Sequence, residues 1–509
     1  MSEREGALAL VLHSHMPYVE GFGTWPFGEE WLWEAVACVY LPLLELLDGA
    51  PLTVGLTPVL CDQLEAMRGE PGERFLAYLR EVKASIHAED AAGLEQGGEP
   101  ALADEVRRAA RDYVDAEAAF ERCGRDLLGR FAALERVELW TSAATHAVLP
   151  LLATDAGLNL QLATGVHAHA RRFGAWSGGF WLPECAYVPG LERQLVDHGV
   201  RAFCVDQTRA LGLGAPEQLL PVVTGAGPIA VPIDWATVEL VWDDRAGYPV
   251  NDGYRDYHRR TIHDLRPWNN GGEAYDHEAA LALAREHARD FVARAKARLA
   301  SGGLLCCALD TELLGHWWYE GTAWLAGVLT EADEQGLELV TVSEGLERTP
   351  AVERELTAST WGAGKDMSTW DAPGVAELAT GARAAELRTV AAASRPLALD
   401  GASRSAAAAG AVLSSPDNGS AAPEGFAASA SSAHDALARA ARELLALQSS
   451  DWAFMLTRDL AADYPHERVR AHGADLDAAL RALKDCAAAP EPALRELAPD
   501  LDIASLTTP

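Results

Sequence analysis

The chain has 509 residues, of which 49% are hydrophobic, so it can bury a large core. Its formal net charge of −33 opposes binding to a phosphate backbone, and we expect no nucleic-acid partner. No apolar run reaches the roughly 18–20 residues that span a bilayer, so no membrane partner is expected either.

The N-terminal residues are polar and lack a cleavable signal pattern, and the eight cysteines are scattered without a CxxC spacing. These features predict a reduced, cytoplasmic protein. The first predicted strand covers residues 8–12 and runs directly into His13-Ser-His15. Side chains at i and i+2 of an extended segment point to the same side, so the two imidazoles should share a face.

A long helical region separates the second and third predicted strands. A helix is predicted over 29–47, with a kink at Pro42, and a strand over 52–56. Residues 73–135 then show helical periodicity and are rich in Ala, Arg and Glu. This stretch is too long for one crossover helix and predicts a helical insertion between units of the sheet.

Strand and helix patterns alternate as far as about residue 345, which predicts an α/β fold with a parallel sheet. Polar residues follow several of the strands, as they do at the site-bearing end of a β/α barrel. A doubly wound open sheet is the alternative, but no glycine-rich phosphate loop follows the first strand. The remaining predicted strands are 137–141, the run that ends at Glu184, 201–205, 228–232, 303–309 and 337–342.

The composition changes after residue 350. Residues 391–433 are nearly all Ala, Ser, Gly and Pro and predict a flexible insertion. Helices are predicted over 433–447 and 474–483. We therefore expect a catalytic barrel over 1–348 that contains the helical insertion, followed by a C-terminal helical domain over 349–509.

Two acids occur in the same sequence context. Glu184 follows the aromatic run Gly-Gly-Phe-Trp-Leu-Pro, and Asp310 follows the apolar run that begins at Gly303. Retaining cleavage of a glycosidic bond uses two such carboxyl groups close together. A single acid at a strand end is more often a surface cap, but two in matching contexts favour chemistry on a carbohydrate.

The same end of the sheet admits a different site. His13, His15 and Asp310 could bind a divalent cation, as in a hydrolytic deacetylase. The fifteen tryptophans favour a carbohydrate instead, because indole faces stack on the apolar faces of sugars. The candidates for a saccharide cleft are Trp181, Trp317, Trp318, Trp361 and Trp370.

Five segments in order along the chain resemble the five motifs of glycoside hydrolase family 57. Residues 440–452 resemble the C-terminal helical region of that family's 1,4-α-glucan branching enzymes. The five segments are His13–Tyr18, Trp140–His146, Gly179–Tyr187, Leu309–Trp318 and Ser359–Gly364.

The resemblance implies an incomplete seven-stranded β/α barrel with helical additions and no metal or cofactor. It implies Glu184 as the nucleophile and Asp310 as the acid/base, with the imidazoles at subsite −1. Tyr248 is implied on a mobile loop that shields the intermediate. The implied substrate-binding residues are His13, His15, His146, Arg255, Trp268, Trp318, Trp361 and Asp451.

The activity implied is branching of an α-1,4-glucan such as amylose or a glycogen-like polymer. An α-1,4 bond would be cut and an α-1,6 branch formed through a glycosyl-enzyme. An α-amylase or a 4-α-glucanotransferase of the same family is the alternative, and a non-catalytic glucan-binding protein represents a different class. The segment between Glu184 and Asp310 is shorter than is usual in the family, which bears on acceptor preference.

Overall fold

A computed structural model describes residues 6–394 and 424–507, except 490, 492 and 495. The sheet contains ten strands. In chain order they are β1 Ala7–Ser14, β2 Thr53–Leu56, β3 Glu138–Ser142, β4 Gly179–Trp181, β5 Ala202–Val205, β6 Val222–Val223, β7 Ile229–Pro232, β8 Leu304–Asp310, β9 Glu338–Val340 and β10 Val352–Glu353.

Seven strands form a parallel array in the order β8-β1-β2-β3-β4-β5-β7. A single parallel bridge between Ile233 and Cys306 joins the two outer strands of this array. The predicted incomplete seven-stranded β/α barrel is confirmed. All eight residues of β1 are buried, as expected for a parallel strand covered on both faces. The two-residue strands β6 and β10 were not predicted, because so short a run carries no periodicity.

Helices cover the outside of the barrel and fill the predicted insertion. A π-helical turn over Val36–Tyr40 ends two residues before Pro42, where the kink is predicted, and Pro42 lies in the first turn of the helix that follows. The helices up to β3 are Glu29–Ala35, Leu41–Leu46, Pro58–Ala66, Glu70–Ala77, the π-helical Tyr78–Lys83, Ala84–Gln96, Pro100–Arg122 and Leu127–Ala132. Those that follow are Asp155–Phe173, Glu192–Asp197, Thr208–Leu211, Trp235–Trp242, His277–Arg298, Gly321–Gln335 and Val342–Arg348.

The C-terminal region is helical and shares a core with the barrel. Its helices are Ala376–Ala393, Glu424–Leu447, Asp451–Thr457 and Tyr464–Asp485. Leu444 and Leu476 pack in one cluster with Tyr18 and Leu160 of the barrel. The helices Ala376–Ala393 and Glu424–Leu447 extend into the two ends of the insertion over 391–433 that was predicted to be flexible. Residues 395–423 lie outside the described residues. Within residues 6–394 and 424–507, no helix combines the length and the apolar character needed to cross a membrane.

Candidate active site

Three strand ends place acids and imidazoles at one edge of the barrel. In the β1–β8 ladder, His13 lies directly opposite Asp310. Glu184 follows β4 in a short 3-10 turn over Pro183–Cys185. Asp310 lies close enough to Glu184 for the two charges to interact. The strand register thus brings both predicted acids to the same place.

The backbone at this edge is strained. His146, Glu184 and Cys185 have φ angles of 57°, 59° and 49°, in the left-handed region that side chains other than glycine rarely adopt. The turn is held by hydrogen bonds: Trp361 N–H donates to the Glu184 carbonyl at 2.9 Å, and Cys185 N–H donates to that of Leu182 at 2.8 Å. Strain of this kind persists where surrounding contacts fix a side chain for function.

Two donors orient the Glu184 carboxylate. Trp361 Nε1–H donates to Oε2 at 2.8 Å, and Ser450 Oγ–H donates to Oε1 at 2.9 Å. Burial raises the pKa of Glu184, while the two hydrogen bonds oppose that rise. A carboxylate held in this way presents a fixed oxygen to an electrophile.

The environment of Asp310 is different. In the described part of the chain, no residue donates a hydrogen bond to its carboxyl group. Burial, and then the charges of Glu312 and Glu184, raise the pKa of Asp310 well above its usual value. Burial raises the pKa of both acids, but hydrogen bonds oppose the rise at Glu184 and not at Asp310, so Asp310 is the acid that holds its proton more strongly.

Three imidazoles and an indole form a stack beside the acids. Ring centroids are 4.1 Å apart for His15 and His146, 4.8 Å for His146 and His13, and 4.5 Å for His13 and Trp181. A 2.9 Å hydrogen bond joins the Nε2 atoms of His13 and His146. Burial, and then the neighbouring imidazoles, lower the pKa of His13 and of His146 well below the usual value. Both rings are thus neutral, with His13 Nδ1 buried and without a protein partner among the described residues.

His15 is the imidazole of the stack whose charged form is favoured. Its Nε2 lies 2.8 Å from Asp451 Oδ2, and its Nδ1 lies 3.3 Å from Thr57 Oγ1. Burial acts to lower the pKa of His15, but the charge and hydrogen bond of Asp451 outweigh burial and raise it. Burial likewise acts to raise the pKa of Asp451, but His15 and Ser449 lower it. Both pKa shifts favour the ionic form of the pair.

We expect Asp451→Asn to lower the pKa of His15 below 6.5, because burial then acts without a compensating charge. The measurement is an NMR titration of the imidazole, together with activity on amylose, which should fall about 10- to 100-fold. Asp463→Asn is the control, since Asp463 is exposed on the same helical region. If the His15 imidazole titrated at the same pH in Asp451→Asn as in the wild type, the charge of His15 would not depend on Asp451.

The alternative metal site does not form. Among residues 6–394 and 424–507, as described, no group of three or more His, Cys, Asp or Glu side chains is arranged to hold a metal ion. Of the three proposed ligands, His15 directs Nε2 to Asp451, and His13 directs Nε2 to His146.

Three of the five tryptophans proposed as sugar platforms are core residues. Trp318 is 2% exposed and packs against Tyr254 and Trp324, so its prediction as a substrate-binding residue is wrong. Trp181 and Trp370 are buried as well. Adjacent aromatics in a loop look alike in sequence, but the turn after β8 directs Trp318 inward and leaves Trp317 at the surface, 42% exposed.

In the described part of the chain, the contacts of Arg255 and Trp268 include neither Glu184 nor Asp310. Arg255 is bonded to Glu105 of the helical insertion, and its guanidinium lies 3.8 Å from the Tyr319 ring centroid. One side of Trp268 is covered by Arg259, 4.3 Å from the ring centroid.

Tyr248 is buried and donates to Asp290 Oδ2 at 2.7 Å. Its ring also stacks on His287, at a centroid distance of 4.5 Å. Both partners belong to the helix His277–Arg298. In this structure Tyr248 is held against that helix, and its placement on a mobile shielding loop stays a prediction.

A cleft of about 740 Å³ opens between the helix that begins at Glu29 and the helical insertion. Neither Glu184 nor Asp310 lines it, but Gly315, His316 and Trp317, which follow β8, form part of its wall. Trp25 is 69% exposed at its rim. The other aromatic and basic wall residues include Phe27, Trp31, Lys83, Tyr113, Arg255, Tyr257, Arg266 and Tyr319.

Sequence reasoning missed two groups that touch the acids and imidazoles directly. Ser450 donates to Glu184, and Thr57 contacts His15. One sequence signal could have identified Ser450: it immediately precedes Asp451, within the segment that resembles the C-terminal region of branching enzymes.

Family models, related sequences and solved structures all match this chain. The model of glycosyl hydrolase family 57 matches residues 9–357, and the model of the 1,4-alpha-glucan branching enzyme C-terminal region matches residues 421–503. A 1,4-alpha-glucan branching enzyme of Thermococcus kodakarensis is 30% identical over 92% of this chain and 73% of that protein. A probable 1,4-alpha-glucan branching enzyme of Mycobacterium tuberculosis is 32% identical, over 92% and 90% respectively. The crystal structure of the family 57-type branching enzyme from Pyrococcus horikoshii superposes with a TM-score of 0.85 at 29% identity, covering 99% of this chain and 97% of that one.

Proposed function

Because the chain belongs to glycosyl hydrolase family 57, we propose that it is a retaining 1,4-α-glucan branching enzyme. The observation that carries this proposal is the position of Ser450 and Asp451. Both belong to the region that matches branching-enzyme C-termini, and they contact Glu184 and His15 directly. The region typical of branching enzymes is thus part of the site.

Glu184 attacks the anomeric carbon of an α-1,4-linked glucose while Asp310 gives its proton to the departing 4-oxygen. The glycosyl chain is then bonded to Glu184. Asp310, now ionised, takes the proton from the 6-hydroxyl of a second glucan chain as that oxygen attacks the same carbon. The α-1,6 bond forms, Glu184 leaves as a carboxylate, and Asp310 regains its proton.

We assign His13, His15 and His146 to subsite −1, where their stacked rings lie beside Glu184, and Trp361 bounds that subsite next to Glu184. Arg255 lies in the wall of the 740 Å³ cleft, and we assign it, with Trp268 and Asp451, to holding the glucan. The cleft offers a path for the polymer because exposed aromatic faces occur along it.

An uncharged polymer such as amylose or a glycogen-like glucan is compatible with a protein of net charge −33. The reaction as written uses the chain's own carboxyl groups and calls for no cofactor. We place the protein in the cytoplasm, where such polymers are built. We also propose the division into a barrel over 1–348 and a helical domain over 349–509, with matches of 9–357 and 421–503 in support.

Incubation with amylose should produce new α-1,6 linkages, counted by debranching, in excess of new reducing ends. Branching differs from hydrolysis only in the acceptor, so this ratio decides between them. A product with new reducing ends and no branches would identify an α-amylase. Redistributed α-1,4 chain lengths without branches would identify a 4-α-glucanotransferase.

A further inference from the structure

Residues 357–366, which we call the Trp361 loop, pass beside Glu184 and are held from two sides. On one side the loop contacts the turn after β4. Trp361 N–H donates to the Glu184 carbonyl at 2.9 Å, and Trp361 Nε1–H donates to Glu184 Oε2 at 2.8 Å. Two backbone hydrogen bonds of 2.9 and 3.0 Å also join Ser359 and Tyr187. The loop therefore carries one of the two donors that orient the Glu184 carboxylate.

On its other side the loop contacts the end of β5, where Gln207 holds its first part. The Gln207 side-chain oxygen accepts from Thr357 N–H at 3.0 Å. Its amide nitrogen donates to the Thr357 carbonyl at 3.0 Å and to Ser359 Oγ at 3.1 Å. Gln207 is 3% exposed, so these hydrogen bonds form away from water, where they are strongest. The side chain of Gln207 thus fixes the loop just before Trp361.

Asp206 and Lys365 hold the last part of the loop. Asp206 is 0% exposed, and its Oδ2 lies 2.8 Å from Lys365 Nζ, while its Oδ1 accepts from Thr208 N–H at 2.8 Å. Lys365 Nζ also lies 3.0 Å from the ring centroid of Trp235, within the range of a cation–π interaction. Burial acts to lower the pKa of Lys365, and the charge of Asp206 opposes that fall. Lys365 is thus directed toward the end of β5.

Lys365 is also joined to Trp361 within the loop. Lys365 N–H donates to the Gly362 carbonyl at 3.0 Å, and Lys365 Nζ donates to the Trp361 carbonyl at 3.5 Å. Gly364 and Lys365 have φ angles of 73° and 58°, in the left-handed region. Because Lys365 is not a glycine, this conformation depends on the contacts that hold it.

We propose that Asp206, Gln207 and Lys365 are positioning residues of the active site. The end of β5 fixes the loop on both sides of Trp361, so that the indole N–H stays on the Glu184 carboxylate. None of the three needs to contact substrate. The inference rests on the proposed function, in which Glu184 is the nucleophile. If the indole could turn away, Oε2 would lose its donor and the misplaced carboxylate would attack more slowly.

The test is a double-mutant cycle of Lys365→Met and Trp361→Phe, measured as the rate of initial fluoride release from an α-glucosyl fluoride. This step needs attack by Glu184 but no proton for the leaving group. We expect Lys365→Met to slow the release about tenfold. Trp361→Phe should slow it about 10- to 100-fold, since it removes one hydrogen bond to a charged group. The double variant should be no slower than Trp361→Phe, because the group through which Lys365 acts is already absent.

A second measurement reports the indole directly. The Trp361 indole N–H resonance in NMR spectra, identified by its absence in Trp361→Phe, should shift in Lys365→Met. Lys484→Met is the matched control, because Lys484 is exposed on the helix Tyr464–Asp485. It should leave both the rate of fluoride release and the resonance unchanged. Gln207→Met, combined with Trp361→Phe in a second cycle, should give the same non-additive result as Lys365→Met.

Losses that multiply in either cycle overturn the inference and leave branching intact. So does an unchanged rate, or an unchanged Trp361 resonance, in Lys365→Met. If Lys365→Met does not fold, the combination of Asp206→Asn with Lys365→Met takes its place in the cycle and decides in the same way, because it removes both charges of the buried pair together. Absence of branching by the wild type would instead overturn the proposed function.

Discussion

Glu184→Gln is expected to abolish transfer, with a loss of activity on the order of 10⁴-fold or more. An amide oxygen does not attack the anomeric carbon at a useful rate, so no glycosyl-enzyme forms. The side chain keeps its size, and its amide oxygen can still accept from Trp361 or Ser450. Binding of glucan should therefore persist, which affinity electrophoresis in amylose gels can measure beside kcat.

The control for that loss is Glu377→Gln, because Glu377 is exposed on the C-terminal helical region. Its activity should equal that of the wild type. If Glu184→Gln retained activity within tenfold of the wild type, another group would have to be the nucleophile, and the assignment of Glu184 would fail.

Asp310→Ala is expected to show a loss that depends on the leaving group. On amylose both steps should be slower, because no acid protonates the departing oxygen in the first and no base activates the acceptor in the second. We expect a loss on the order of 10²- to 10⁴-fold, the range of general acid–base catalysis. With a glycosyl fluoride the first step proceeds without the acid, Glu184 is loaded, and the second step is slow.

The loaded enzyme should therefore accumulate in Asp310→Ala and be visible as an added glycosyl mass on the peptide that contains Glu184. Azide, a small nucleophile that needs no general base, should release it and restore turnover. A label on Glu312 or Asp206, or full turnover without any label, would contradict the assignment. Asp206 could take the label in this assay because it also is an acid that directly follows a strand. It is, however, buried and paired with Lys365.

The strand ends could be predicted because a buried parallel strand is a continuous apolar run, and the first polar residue after it marks the edge of the sheet. For this reason the sequence alone predicts that His13 and Asp310 lie near each other. Their exact register is a property of the β1–β8 ladder, which the sequence does not encode locally. The same patterns predict eight strands, and the seven-stranded barrel is implied by the family resemblance.

Side-chain direction could not be predicted in the same way. Trp317 and Trp318 are neighbours in sequence, yet one is exposed and the other is core, because the turn between them is set by packing against Trp324. Tyr248 is placed by resemblance in a segment that is shorter here, and in this structure it packs on an outer helix. The two donors to the Glu184 carboxylate, Trp361 and Ser450, lie far from Glu184 in the sequence, so local sequence patterns do not connect them to it.

The hydrogen bond from Ser450 to Glu184 spans 266 positions in sequence. Without residues 424–507 the barrel would lack one of the two donors to the Glu184 carboxylate, and His15 would lack Asp451. The immediate surroundings of Glu184 are thus completed by the C-terminal region. Exchanging this region between two related chains would therefore also exchange a direct contact of Glu184.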